Sequence, residues 1–185
     1  GKAVRLENDN ALSSNCWGGK GGNIFANTAK ITVSGGKITG GSSNHNVQAG
    51  GNIAIREAAA TLTVTGGEIS SGIATARTRA ANIEIYNDAT AKFSGGKVTG
   101  GVSLLKGKVE LSGKANISGG STNLFIASGY KITVGTLDNT AKIGISMTAP
   151  GKFADAGKDY AANFTSDSSA YKVDVDGSGL KLAAN

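Results

Sequence analysis

One phrase, repeated with changes along the chain, limits what this sequence can fold into. Residues 22–41 read GNIFANTAKITVSGGKITGG, and the phrase returns from Gly51 as GNIAIREAAATLTVTGGEISSG and from Ala81 as ANIEIYNDATAKFSGGKVTGG. Each copy has Asn-Ile, two short runs of alternating apolar and polar residues, a Gly-Gly pair and a third short run. Strict alternation is typical of strands, not of helices. Each copy therefore predicts three short strands joined by corners.

The Gly-Gly pair, such as Gly35-Gly36, permits the positive φ that a tight corner requires. Three strands and three corners make one turn of a triangular coil, which cannot bury its apolar side alone and must stack on further copies. The sequence thus predicts an all-β fold, a single-stranded parallel β-helix of about six three-sided coils with a C-terminal cap. Right-handed winding is expected from the crossover rule.

The composition agrees with this prediction, because 29 glycines and a single proline suit many corners and unbroken backbone ladders. We expect three regions: an irregular, capping coil at 1–21, the β-helix repeats at 22–149, and a cap with a β-hairpin at 150–185. The coils align by the inward pairs of their first strands. These pairs are Ile24/Ala26, Ile53/Ile55, Ile83/Ile85, Val102/Leu104, Leu124/Ile126 and Ile143/Ile145, with third strands supplying Ile38, Ile69, Val98, Ile117 and Leu137.

An asparagine precedes most of the first strands, at Asn23, Asn52, Asn82 and Asn123. Stacked coils place these residues at one corner, where their amides can hydrogen-bond from coil to coil as a ladder. Asparagine also tolerates the left-handed conformation at a corner. We expect a structural asparagine ladder there.

Two insertions, at 42–48 and 73–79, leave the same corner on adjacent coils and should lie side by side as a projecting pair. Loops on a rigid scaffold often carry function. The candidate ligand-binding residues are the polar side chains of this pair: Asn44, His45, Asn46, Arg77 and Arg79. The alternative is that both segments are tolerated surface insertions.

The end of the chain is rich in aromatic residues, with Phe153, Tyr160, Phe164 and Tyr171 in the predicted cap. Their rings would cover the last coil. Alternating residues on both sides of Asp176-Gly177-Ser178-Gly179 predict a hairpin. The N-terminal coil gives less cover, which leaves that end open to docking of another chain or domain.

Catalytic signatures are missing from the sequence, which contains no phosphate loop, zinc spacing or nucleophile elbow. Glycoside hydrolysis requires paired carboxylates, but the outward acids Glu68, Glu84 and Glu110 fall on different predicted faces. Asp174-x-Asp176-Gly177 lacks the remaining ligands of a calcium loop and is better explained as the hairpin turn. We expect no catalytic residue, no metal and no cofactor.

The formal charge of +6 comes from lysines scattered over outward positions, without a basic run. This pattern favours a solvated surface over a nucleic-acid groove. An ice-binding threonine array at Thr32, Thr63 and Thr133 would be interrupted by Lys92 and Glu110. No apolar run is long enough to insert into a membrane.

The phrases VSGGKITGG, VTGGEISSG and FSGGKVTGG resemble the repeats of large cell-surface proteins from gut Firmicutes and related bacteria, and the tail PGKFADAGKDYAANFTSDSSAYKVDVDGSGLKL resembles the segment that closes such regions. The resemblance spans about residues 22–182. It implies a right-handed, pectate-lyase-like β-helix on an exported protein, and no catalytic residue. The start at Gly1, without Met or a signal peptide, is typical of a mature or excised piece.

The expected function is a non-enzymatic extracellular structural or adhesion module of a bacterial surface or secreted protein. One alternative is a carbohydrate-binding or carbohydrate-active β-helix that uses the loops at 42–48 and 73–79. Another is a subunit of a head-to-tail extracellular fibre. The expected partners are a glycan, a host or cell-surface protein, or further copies of the chain, but not nucleic acid.

Overall fold

A computed structural model describes residues 4–7, 22–43, 50–75 and 81–185. The strands are β1 (Val4–Glu7), β2 (Ile24–Ala26), β3 (Lys30–Thr39), β4 (Ser42–Ser43), β5 (Ile53–Arg56), β6 (Thr61–Ser70), β7 (Ile73–Ala74), β8 (Ile83–Tyr86), β9 (Ala89–Val98), β10 (Val102–Leu104), β11 (Gly107–Gly113), β12 (Asn116–Ile117), β13 (Leu124–Ile126), β14 (Thr133–Leu137), β15 (Lys142–Met147), β16 (Gly151–Ala154), β17 (Phe164–Ser166), β18 (Tyr171–Asp176) and β19 (Gly179–Ala184). One 3-10 helix spans Lys158–Asn163.

The first strands of the repeats stack in parallel as the first ladder, formed by β2, β5, β8, β10, β13 and β15. Alternate residues of each strand point inward and are buried, as the alternation of apolar residues predicts. The register matches equivalent positions of successive copies. The matched residues are Ile24, Ile53, Ile83, Val102, Leu124 and Ile145.

The second and third strands of a copy are continuous in β3, β6 and β9, which bend at the Gly-Gly pair. We call the two resulting stacks the second ladder and the third ladder. At the bend Gly67 has φ +80°, and a Cβ there would lie 2.8 Å from the carbonyl carbon of Gly35 on the preceding coil. Only glycine fits this corner, because both the conformation and the space exclude a side chain. The register shifts at each corner, as in a β-bulge.

The inward residues of all three ladders belong to one hydrophobic cluster, composed mainly of Ile, Val, Leu and Ala. Phe93 is the one aromatic residue that the coils of β2 to β15 contribute to it, among the residues that the structure describes. Parallel stacking of like positions and a shared aliphatic core confirm the predicted all-β parallel coil.

The predicted alignment fails in the last coil. Ile145 and Met147, not Ile143 and Ile145, pair with Leu124 and Ile126. Ile143 instead follows Ile117 on the third ladder, so Leu137 was wrongly assigned there. Strand β15 continues through the corner and serves both ladders, and alternation alone does not mark where one ladder ends and the next begins.

The two ends of the coil are closed differently. At the N-terminal end β1 pairs antiparallel with β3, with Val4 opposite Val33. At the C-terminal end β16, β19 and β18 form an antiparallel sheet, and β17 adds a parallel strand to β15. The predicted hairpin is present, with Asp176 opposite Gly179 and Gly177 at φ +65°.

The aromatic residues of the cap divide into two pairs. Phe153 and Phe164 are buried in the core cluster, with ring centroids 5.6 Å apart. Tyr160 and Tyr171 are partly buried against it. The segment 150–185 therefore covers the last coil and also extends its ladders. Cys16 and Trp17 lie outside the described residues.

Candidate functional site

The corner before each strand of the first ladder, which we call the anchor corner, carries the asparagines and releases both insertions. Asn23 Nδ2 donates to Asn52 Oδ1 at 2.7 Å, and Asn52 Nδ2 donates to Asn82 Oδ1 at 2.6 Å. Asn52 and Asn82 are 0% and 2% exposed. Buried amides require partners, and here each rung supplies the partner of the next.

Each inner asparagine also holds the chain where an insertion begins. Asn52 Oδ1 accepts from the backbone N–H of Gly41 at 2.9 Å, and its Nδ2 donates to the carbonyl of Ser70 at 2.9 Å. Asn82 Oδ1 accepts from Gly72 N–H at 3.0 Å. Gly41 and Gly72 are the residues just before the two short strands that open the insertions. The ladder therefore fixes the base of both insertions.

Asn123 does not join this ladder. Its Nδ2 donates to Asp167 Oδ1 at 2.6 Å, and its backbone N–H donates to Asp167 Oδ2 at 2.7 Å. Gly101 occupies the rung between Asn82 and Asn123, so no amide bridges them. The expected four-membered ladder is thus three asparagines plus a separate Asn–Asp pair. Sequence reasoning missed Asp167, which lies 44 residues away in the cap.

The insertions begin side by side, as the repeat alignment predicts. Strands β4 and β7 pair in parallel, with Ser42 opposite Ile73 and Ser43 opposite Ala74. Ser43 and Ala74 are buried, whereas Ile73 is 56% exposed. The pair is therefore a small two-stranded layer with one side packed on the molecule and one side in solvent.

The five candidate ligand-binding residues lie outside the described residues: Asn44, His45, Asn46, Arg77 and Arg79. The ends of their segments are described. Gly50 closes the first insertion, and a Cβ on it would lie 2.9 Å from the backbone N of Glu84 on β8. The chain thus returns against the outer face of the first ladder and does not project from its corner at this point.

The outer face of the first ladder is buried along its four inner strands, contrary to the outward, water-facing position that alternation predicts for their middle residues. Ala54 and Glu84 are 0% exposed, Ser103 is 1% exposed and Phe125 is 4% exposed. A sequence signal for this existed, because this column contains a single charged residue while the columns of the other ladders carry several. These four side chains are therefore shielded from solvent.

Arg56 ends β5 and Glu57 follows it, at the opposite end of that strand from the anchor corner. The Arg56 guanidinium lies over the Tyr86 ring, 5.2 Å from its centroid. Glu57 accepts a hydrogen bond from Asn87 Nδ2 at 2.8 Å. Because these contacts join neighbouring coils, Arg56 and Glu57 have a structural role.

The outward acids of the other two ladders are engaged by lysines. Lys37 Nζ lies 3.0 Å from Glu68 on the third ladder, and Lys92 Nζ lies 2.9 Å from Glu110 on the second. Hydrogen bonds from Lys37 and from the Ser70 hydroxyl lower the pKa of Glu68. A general acid needs a raised pKa, so Glu68 is tuned in the opposite direction.

Other candidate chemistry finds no support in the geometry. Among the described residues no three His, Cys, Asp or Glu side chains group as metal ligands. In the hairpin Asp176 lies 3.7 Å from Lys152 Nζ, so its carboxylate has a structural counter-ion. No helix in the described part of the chain is long and apolar enough to cross a membrane.

The second ladder tests the threonine array directly. Thr32 and Thr63 stack on consecutive rungs, and Lys92 and Glu110 then separate them from Thr133. The charged pair interrupts the column, as the sequence predicts.

Comparison of the chain with protein-family models, with curated proteins and with solved structures finds no match.

Proposed function

We propose that the chain is a non-enzymatic extracellular module, structural or adhesive, of a bacterial surface or secreted protein. The observation that carries the proposal is the continuity of its stacking. Three parallel ladders and one core join every coil to the next, and an asparagine ladder also joins the first three coils. Such a scaffold is suited to holding a surface at a fixed distance and orientation.

The ion-paired state of the outward acids supports the non-enzymatic part. Glu68 and Glu110 each contact a lysine on a neighbouring rung. A pair of carboxylates able to act on opposite sides of a glycosidic bond requires two free groups facing one cleft, and these two lie on different ladders.

An assay for product release on a panel of plant, bacterial and host polysaccharides tests the proposal. We expect no reducing ends and no unsaturated products from any of them. The positive counterpart is capture of whole cells or wall fragments by chain immobilised on beads. Turnover that a single Arg or Glu substitution abolishes would contradict the non-enzymatic role.

A carbohydrate-binding role of the loops at 42–48 and 73–79 is a second candidate, and the paired stem of β4 and β7 favours it. The stem is hydrogen-bonded, with Ile73 N–H donating to Gly41 O at 2.8 Å and Thr75 N–H donating to Ser43 O at 3.0 Å. The stem therefore fixes where the two loops begin. Replacing both loops by a Gly100-Gly101 corner should leave folding intact, and glycan binding that survives this change excludes them.

The arrangement of the ends argues against the head-to-tail fibre. Parallel addition of a second chain at the N-terminal end of the second ladder requires a vacant strand edge. That edge of β3 already pairs with β1, which runs antiparallel.

A further inference from the structure

The outer face of the third ladder carries two regular columns of polar side chains, and we call it the third face. On successive rungs the first column contains Lys37, Glu68, Lys97, Asn116 and Lys142. The second column contains Thr39, Ser70, Thr99 and Ser118. Charged groups and hydroxyls thus run in parallel along the stacking direction.

The third face has an excess of positive charge. Lys97 and Lys142 are exposed, as is Lys114 at the neighbouring corner, and none of the three has an ion-pair partner among the described residues. Glu68 is already engaged by Lys37, and Lys97 on the next rung attracts it more weakly. Asp138, which interacts electrostatically with Lys114, accepts hydrogen bonds from Thr140. Lysines outnumber acids on this face, and such an excess of positive charge attracts a polyanion.

Hydrogen bonds between the two columns hold their side chains in place. The Ser70 hydroxyl donates to Glu68 Oε1 at 3.0 Å, and the Ser118 hydroxyl donates to Asn116 Oδ1 at 2.6 Å. Strands in a ladder are about 4.8 Å apart, so Lys97 and Lys142, two rungs apart, repeat at about 10 Å. A rigid surface of this kind fits an extended polymer with regularly spaced negative charges.

We propose that the third face binds a linear polyuronate, an acidic polysaccharide, lying along the stacking direction of the coils. The lysines pair with the carboxylates, and the hydroxyl column hydrogen-bonds to the sugar hydroxyls. The proposal rests on the adhesive role above and names its partner. A nucleic acid is disfavoured, because neither column contains an aromatic side chain on which a base could stack.

Binding of the full chain to alginate oligomers tests the proposal. The test variant is Lys97→Gln with Lys142→Gln. The matched control is Lys30→Gln with Lys108→Gln, two exposed lysines on the outer face of the second ladder. Both variants lose the same charge. We expect the dissociation constant to rise about 4- to 25-fold for the test variant and less than about twofold for the control, with both thermal unfolding curves unchanged.

Equal weakening in the two variants would overturn the proposal, since it would mean attraction by net charge alone. So would the absence of alginate binding at low salt, or tighter binding to single-stranded DNA or polyphosphate than to alginate. Release of alginate fragments by the wild-type chain would contradict the non-enzymatic role while leaving the binding face intact. Retained binding to neutral glycans without alginate binding would contradict only the third face.

Discussion

The N-terminal coils, from β2 to β9, and the C-terminal coils, from β10 to β15, use the same core but different corners. In the first group each copy contributes a continuous ten-residue strand, and asparagine amides cross the anchor corner. In the second group that strand is divided into β11 and β12, and the anchor corner holds Gly101 and Gly144 around Asn123.

The difference teaches that corners, and not strands, determine how closely the copies must resemble one another. Inward positions accept Ile, Val, Leu, Ala or Phe, because the hydrophobic effect does not depend on the direction in which groups meet. A buried amide does have direction, so Asn52 needs asparagine on both sides. Asn123 has glycine as its neighbour on the preceding rung, and it turns to Asp167 instead.

The largest expected effect on stability comes from removing a buried aromatic ring, either in the N-terminal coils or in the cap that closes the C-terminal coils. Phe93→Ala in the N-terminal coils and Phe153→Ala in the cap should each lower the free energy of unfolding by about 3–5 kcal/mol, since both leave a cavity. Both rings are fully buried in one cluster. Urea titration followed by circular dichroism measures the loss.

Because the cluster is continuous, each variant should still unfold in a single transition. A Phe153→Ala protein that loses only the signal of the cap, with the coils unfolding at the wild-type denaturant concentration, would show two independent units. Val175→Ala, a change at a residue 43% exposed in the cap, serves as the control and should have little effect.

The asparagine ladder at the anchor corner provides the next test. Asn52→Ala removes an amide that makes four hydrogen bonds, and it should cost about 2–4 kcal/mol, because the partners stay buried. Asn123→Ala should cost about 1–2 kcal/mol, since its side-chain partners Asp167 and Gly120 are partly exposed. Equal losses would contradict the distinction between the two halves.

The variant Gly101→Asn distinguishes what the repeat pattern predicts from what the structure predicts. The pattern predicts that asparagine here would extend the ladder and stabilise the protein. The structure predicts a loss of about 1–3 kcal/mol, because Gly101 has φ +67° and a Cβ would lie 2.7 Å from Ala81 Cβ and 2.8 Å from Asn82 N. A variant with raised thermal stability would show that the corner can rearrange.

This comparison also explains how far the sequence could predict the fold. Alignment was right where an asparagine marks the start of the first strand. It was also right at Val102, which follows Gly101, because β9 ends before that corner. It failed after Asn123, because β15 alternates straight through the corner from Ile143 to Met147. Periodicity of two identifies strands and their inward sides, but a shift by two residues leaves that pattern unchanged.

The site was less predictable for a different reason. The base of the insertions follows from the repeat, and the pairing of β4 with β7 follows from equal positions on adjacent coils. Pairing of Asn123 with Asp167 depends on a chain segment that comes from outside the repeat. Such contacts have no period, so no count along the sequence reveals them.

The smallest expected effect concerns two carboxylates whose pKa values are lowered by different means. Lys37 and Ser70 lower the pKa of Glu68 in the N-terminal coils, and the hydroxyl and backbone N–H of Thr140 lower that of Asp138 in the C-terminal coils. A lowered folded-state pKa contributes stability above the ordinary value, and this contribution is lost as pH falls through the folded-state value. The stability advantage of wild type over Glu68→Gln or Asp138→Asn should therefore be present near about pH 7 and shrink below about pH 4.

Salt distinguishes the two carboxylates, because about 1 M NaCl screens the exposed Lys37–Glu68 pair but leaves the short Thr140–Asp138 hydrogen bonds, at 2.7 and 2.9 Å. Melting temperatures of the three proteins over pH and salt measure both effects. If salt removes the Asp138 difference as fully as the Glu68 difference, the carboxylate in the C-terminal coils is also held by charge and the contrast between the halves does not extend to their surfaces.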